Sequence, residues 1–306
     1  MTPATTRSRH LTLIAALSGA VLISFSAIYY GLSETSPMTG AFYREAYAIP
    51  ILAILWLMRR SADHRPGSRR WVALGAGIVL AGDTIAWHVS IDFIGAGLAT
   101  LIANTAVIFV AIGAWAFLGE KPLPTTMAAI PVILIGVTLV SGVGQGDAFG
   151  VDPVRGTLLA LLAAVFYASF MLAFRYSNDS QAPAVGPLLE ATFGAMVTIL
   201  LLNVFIGGID FGFEWPSHGW LIALALGSQV AGWLLIGYAL PRLPAVETAT
   251  IILLQPALTM LWGALIFDER PSPIQILGAA IVLAGVAVVA TVRARREARV
   301  ETSPLG

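Results

Sequence analysis

About ten stretches of nearly continuous apolar sequence, each close to 20 residues long, run through this chain. No other feature limits its folding as much. A helix rises about 1.5 Å per residue, so roughly 20 apolar residues match a hydrocarbon layer of about 30 Å. In lipid the backbone must satisfy its own N–H and C=O groups, which makes helices of such stretches. The pattern predicts spans over 11–31, 38–58, 71–89, 93–118, 123–142, 156–175, 184–206, 218–240, 245–267 and 273–292. Several connections are very short, such as Gly119-Glu120-Lys121-Pro122 and Pro241-Arg242-Leu243-Pro244, so neighbouring helices are expected to run antiparallel. Hydrophobic residues make up 58% of the 306 and charged residues only 11%, against about 25% charged in soluble domains. Too little polar surface remains to face water, and an all-α integral membrane protein is expected. Arg7 and Arg9 precede an apolar run from Leu11 to about Gly31. That run is longer than the roughly 7–15 residues of a signal-peptide core, so it reads as an uncleaved first helix.

Charge placement predicts orientation, because cytoplasmic loops concentrate Lys and Arg. With the N-terminus inside, 14 of the 17 basic residues fall on the cytoplasmic side, only Arg155 and Arg270 lie outside, and Arg44 lies within a span. The outer loops carry Glu34, Asp92, Asp147, Asp152, Asp210, Glu214, Asp268 and Glu269 instead. Both termini are therefore expected in the cytoplasm. The net charge is zero, so nothing points to a nucleic-acid partner, and with no cysteine there is no disulfide, thiol chemistry or Cys-ligated metal.

The two halves resemble each other. Phe117-Leu118-Gly119-Glu120-Lys121-Pro122 closes the fourth span, and Ile266-Phe267-Asp268-Glu269-Arg270-Pro271 closes the ninth. Glu120 and Glu269 align at an offset of 149, as do Leu134-Ile135-Gly136-Val137 and Leu283-Ala284-Gly285-Val286. Pro37, Gly40 and Arg44 match Pro183, Gly186 and Glu190 at an offset of 146. Five spans per half is an odd number, so the second copy is expected upside down. Inverted repeats are the mark of carriers that expose one site alternately to the two sides of a membrane. The expected units are a first five-helix repeat over 1–145, an inverted second over 152–295, and a cytoplasmic tail over 296–306.

Phe42-Tyr43-Arg44, Gly119-Glu120-Lys121-Pro122, and the series Pro244, Gln255-Pro256, Asp268-Glu269-Arg270-Pro271 and Ile276-Leu277-Gly278 together resemble the EamA-type families of the drug/metabolite transporter superfamily. The resemblance covers about 11–292. It implies a ten-helix inverted-repeat fold with a central cavity lined by spans 1, 3, 4, 6, 8 and 9. It also implies export of small metabolites, amino acids among them, from the bacterial cytoplasm. Many members look acidic at the residue before the proline of span 9. Here that residue is Gln255, which cannot titrate.

Polar side chains at bilayer depth are expensive unless paired, so each is a functional candidate. Asn104, Tyr167, Gln229 and Gln255 lie near the midplane of their spans, with Asp83 somewhat outward. The competing reading is hydrogen bonding between helices, worth about 1 kcal/mol each. Trp87, His88 and Trp233 add aromatic surface, and Tyr238 reads equally as an interfacial anchor. The expected substrate-binding set is Asp83, Trp87, His88, Asn104, Tyr167, Gln229, Trp233 and Gln255. Arg44 and Asp83 lie at similar depth on adjacent spans, each about six residues from the outer end. An ion pair between them is expected, with Glu45 nearby. Glu190 reads as water-facing toward the cytoplasm. Gly95, Gly97, Gly227, Gly232, Gly237 and Pro244 are candidate hinges, close helix packing being the bland alternative. The histidine spacing offers no metal site, and no cofactor is expected.

These observations converge on a non-enzymatic, multi-pass carrier of the bacterial inner membrane. Small metabolites, most readily amino acids, are its expected cargo and lipid its surroundings, as a monomer or weak dimer. A multidrug or nucleotide-sugar carrier of the same fold is the nearest alternative. A membrane-embedded enzyme or a receptor is more distant, since neither a nucleophile–base pair nor a metal constellation is visible.

Overall fold

The computed structural model describes residues 3–119, 121–177, 184–239 and 245–302. Regular structure among them is entirely helical. Among the described residues six helices are long and apolar enough to cross a membrane: Leu11–Ser33, Pro37–Ala62, Gly67–Ala103, Pro153–Ser177, Val185–Ile206 and Ser217–Ile236. Four shorter apolar helices cover Ala106–Phe117, Pro124–Val140, Leu254–Ile266 and Pro273–Val289. Their outward faces are greasy: Phe117 is 84%, Phe205 83% and Leu265 68% exposed. A monomer in water does not carry apolar surface on this scale, and lipid is the solvent it fits.

Proline and glycine mark the helix ends. α1 (Pro3–Ser24) and α2 (Ser26–Ser33) are separated by a break at Phe25. α3 (Pro37–Arg59) opens with Pro37 in its first turn and Ser36 as cap, the Thr39 amide donating to Ser36 Oγ at 3.2 Å. α4 (Gly67–Ala103) bends sharply at Gly95, whose φ of 79° and ψ of 168° are open only to glycine. α5 (Ala106–Leu118) follows a further break at Asn104 and Thr105 and ends on Gly119 in the left-handed conformation. α6 (Pro124–Val140), α7 (Pro153–Ser177) and α8 (Val185–Ile206) come next. The following span is composite: α9 (Ser217–Ala223), a π-helical stretch over Leu224–Gly232, then α10 (Trp233–Ala239). α11 (Ala245–Ile266) and α12 (Pro273–Thr302) complete the chain.

α4 is the central element and packs on α7, α8, α3 and α11, while α6 pairs with α12. Small residues let these helices meet closely. A Cβ on Gly136 would lie 2.9 Å from the Gly278 carbonyl oxygen, and one on Gly278 2.6 Å from the Gly136 oxygen. Gly77 and Gly194 allow the same approach between α4 and α8.

Two sets of polar contacts tie the ends of the bundle. At one end Glu269, in the turn between α11 and α12, accepts from the backbone amides of Ala96 and Gly97 at 2.5 and 3.0 Å. A carboxylate thus caps the helical arm that restarts after Gly95, where exposed amides and the helix dipole favour negative charge. Gln275 ties the 141–152 connection to the same end, its Oε1 accepting from the Phe149 amide at 2.8 Å. At the other end Arg65, between α3 and α4, is itself buried. It donates to Asp63 at 2.8 and 2.9 Å and to Glu190 of α8 at 2.9 and 3.1 Å. Hydrogen bonding by Arg65 pulls the Asp63 carboxyl down to about 2.

Several expectations need correction. The run 11–31 is broken at Phe25, and residues 90–92, expected as a connection, are helical, so Asp92 lies within α4. The connection there shrinks to the bend at Gly95. Glu190 does not face water freely, because Arg65 holds it. Glu120, the Pro241–Pro244 turn and the proposed hinge at Pro244 lie outside the described residues, as do 303–306 of the expected tail.

Candidate functional site

Arg44 lies seven residues beyond Pro37, the first residue of α3, or about 10 Å into the span at 1.5 Å per residue. Its guanidinium is not paired with Asp83. The Nε and Nη2 atoms both donate to Gln229 Oε1, at 3.1 and 2.7 Å. Glu45, its neighbour in sequence, reaches the same guanidinium only at 3.7 Å. Gln229 Nε2 in turn donates to Glu45 Oε2 at 3.4 Å and to Thr192 Oγ1 at 3.5 Å. The expected ion pair is therefore replaced by a relay from Arg44 through a neutral amide to Glu45. The physical reason is local. The π-helical stretch widens the turn that carries Gln229 and swings its side chain into the space between α3 and α8. Single π turns inside α-helices recur at functional sites.

Asp83 still belongs to this cluster. It stands within electrostatic reach of Arg44 and Glu45, and Tyr167 stands within reach of Asp83 and Arg44. Asp83 makes no hydrogen bond or ion pair with another described side chain. Asp83, Tyr167 and Trp233 are half-buried, whereas Glu45 and Gln229 are buried. Aromatic rings wall the group. The Arg44 guanidinium lies 5.9 Å from the Trp87 ring centre, Tyr167 meets Trp233 at 6.5 Å, and Phe170 meets Trp233 at 6.3 Å. The centre thus offers one guanidinium, two carboxylates and apolar walls. Groups of both charge signs thus stand beside apolar surface within the span.

His88 lies toward the Gly95 end of α4. Its ring stacks on Tyr30 with centroids 3.9 Å apart, its Nδ1 is 3.3 Å from the Pro37 carbonyl oxygen, and Tyr30 donates to Asp92 at 3.0 Å. His88 Nε2 is buried without a partner. The structure thus brings together Arg44, Asp83, Trp87, His88, Tyr167, Gln229 and Trp233. Asn104 and Gln255 stay apart. Asn104 donates to the Thr100 carbonyl at 2.8 Å and so supports the helix break. Gln255 contributes its backbone carbonyl to Thr259 at 3.0 Å, and its side chain makes no hydrogen bond with a described residue.

The sequence reading passed over Thr192, Tyr30, and the roles of Arg65 and Glu269. Thr192 is a mid-span hydroxyl and could have been flagged by depth. The role of Glu269 could not, because its partners are backbone amides 172 and 173 residues away. Beside Glu269 lies an open groove of about 470 Å³ lined by Gly97, Met260, Arg270 and Ile276 among others, separate from the Arg44 cluster. Among the described residues no group of three or more His, Asp or Glu side chains could hold a metal.

Comparison with known proteins agrees with this architecture. The chain is 23% identical over 274 residues to an uncharacterized transporter of Archaeoglobus fulgidus, covering 86% of this chain and 91% of that one. It is 25% identical to the threonine/homoserine exporter RhtA of Salmonella typhimurium, over 92% of this chain and 93% of the relative. The Escherichia coli exporter of the same name is also 25% identical, over 74% and 72%. A solved crystal structure shares the fold at a TM-score of 0.62 and 19% identity, covering 94% of this chain and 98% of that one. The EamA-like transporter family matches residues 10–142 and again 154–291. With both halves of its length matched in this way, the chain belongs to the EamA-like transporter family.

Proposed function

We propose that this transporter exports small amino acids across the inner membrane by alternating access, with the cluster around Arg44 as its substrate site. The observation that carries the reading is the Arg44 fork, occupied by a neutral amide in a cluster that also holds Asp83, which makes no hydrogen bond or ion pair with a described side chain. An amino acid would place its carboxylate on Arg44 and its ammonium at Asp83, with its side chain against Trp87, Tyr167 and Trp233. Such convergent polar groups on apolar walls favour a zwitterion over a bulky phosphorylated substrate, for which one arginine is too few. The exporter relatives named above favour the same class.

The transport cycle in this reading uses ten helices in two inverted five-helix repeats, 1–145 and 152–295, with both termini cytoplasmic. Support comes from the separate family matches to 10–142 and 154–291, the Lys and Arg distribution, and the pairing of α6 with α12 and α3 with α8. In that orientation Glu269 fastens the outer end and Arg65 the inner end. The test is purified protein in liposomes with radiolabelled L-threonine, L-serine and L-alanine inside. Saturable efflux that is lost in Asp83→Asn is expected. Absence of saturable flux across a broad amino-acid panel would sink the reading.

A further inference from the structure

Gln229 occupies Arg44 in the manner of a ligand. Two donors of one guanidinium, Nε and Nη2, converge on its Oε1 at 3.1 and 2.7 Å, so one amide oxygen takes up the edge of the guanidinium on which a carboxylate would place two. Its other end is held weakly, by two long contacts of 3.4 and 3.5 Å. A true carboxylate is close by, yet Glu45 stays 3.7 Å from the guanidinium and its Oε1 has no hydrogen-bond partner. The fork is therefore filled by a neutral acceptor, which takes the cation's hydrogen bonds but brings none of the counter-charge that a carboxylate would. Gln229 also rides on the π-helical stretch Leu224–Gly232, between Gly227 and Gly232, where an irregular turn flanked by glycines can yield. The Gly227 position has only one neighbour near it, a Tyr29 ring atom at 3.6 Å from where a Cβ would sit.

We propose that Gln229 is an internal stand-in for the substrate carboxylate, holding the Arg44 fork in the empty carrier and stepping aside when a carboxylate arrives. This rests on the reading of the Arg44 cluster as the substrate site. It adds a selection rule to that reading. A carboxyl-bearing solute gains an ion pair and a second acceptor oxygen on the fork by displacing the amide. A carboxamide or alcohol offers Arg44 nothing better than Gln229 already supplies, and is refused.

The test is tryptophan fluorescence of the full chain in nanodiscs, since Trp87 lies 5.9 Å from the Arg44 guanidinium. The titrants are L-threonine, L-threonine amide and propionate. The wild type should respond saturably to threonine and propionate and at least tenfold more weakly to the amide. Gln229→Glu places a permanent carboxylate on Arg44, and threonine affinity should fall at least tenfold. Gln229→Ala empties the fork, so threonine should bind several-fold more tightly and the preference over its amide should shrink. Thermal melting checks that each variant is folded, and the alanine variant decides the matter where the glutamate one is not. Unchanged threonine affinity and unchanged discrimination in Gln229→Ala overturn the stand-in. A wild type that answers propionate but not threonine, with the same Gln229 dependence, keeps the stand-in and removes the amino-acid reading. A wild type that answers no carboxylate overturns the stand-in itself.

Discussion

Two of the described arginines are buried or nearly so, and they are partnered in opposite ways. Arg65 is clasped by two carboxylates, with four bonds between 2.8 and 3.1 Å to Asp63 and Glu190. The indole of Trp56 adds a bond to Asp63 at 3.3 Å. Arg44 receives a neutral amide and holds its nearest carboxylate at 3.7 Å. The first arrangement spends every donor direction on fixed protein groups and joins the 60–66 connection to α8. The second leaves a cation with a replaceable partner and with 12% of its side chain exposed. A buried charge that is fully neutralised is a structural tie. One that is under-neutralised within a span is, on the proposed reading, a binding group.

The sharpest way to break this contrast is Arg65→Met. It strands Asp63 and Glu190 without their cation, a loss of about 3–5 kcal/mol for breaking a buried pair. Melting of the detergent-solubilised protein should show a large drop, and little folded protein should be recovered. The opposite result, a stable Arg65→Met with normal melting, would remove the structural role assigned to the clasp. Next in size is Arg44→Lys. Lysine keeps the charge but cannot present a fork, so uptake or efflux should fall about tenfold or more, equivalent to about 1.4 kcal/mol or more. Its melting temperature should stay near the wild-type value. A melting loss as large as that of Arg65→Met would erase the distinction between the two sites. The smallest effect is in acid. The Asp63 carboxyl is lowered from an ordinary 3.8 to about 2, chiefly by hydrogen bonding from Arg65. A depressed carboxylate contributes stability above its unfolded value, and that contribution disappears as pH falls through the folded one. Melting temperature should therefore fall between about pH 4 and about pH 2 in the wild type. Asp63→Asn should lose that part of the acid dependence.

Much of the fold is legible in the chain. Pro37, Pro124, Pro153 and Pro273 each open a helix, as a residue without an amide donor should. Gly119 closes one in the left-handed conformation. The polar residues picked by depth mostly converge, since Asp83, Tyr167 and Gln229 do share one cluster with Arg44. The pairing within that cluster was not legible. Depth placed Arg44 level with Asp83, but which way each side chain points depends on helix rotation. The π-helical stretch before Trp233 turns Gln229 toward Arg44, and no spacing rule marks where such a turn occurs. Asn104 and Gln255 show the same limit from the other side. Both lie at the expected depth, yet one supports a helix break and the other has no side-chain partner among the described residues.

By itself the sequence determined the solvent, the helical character of the chain and which polar groups fall inside its apolar runs. These are one-dimensional properties, set by the length of apolar runs and a constant rise per residue. Only the tertiary structure decided partners. The breaks at Phe25, Gly95 and Asn104 and the wide turn over Leu224–Gly232 reset the rotation of each span. Contacts such as Glu269 with the Ala96 amide, or Arg44 with Gln229, join residues more than 170 positions apart. Rotation and long-range packing together choose which charges are fully neutralised, as at Arg65, and which are only partly so, as at Arg44.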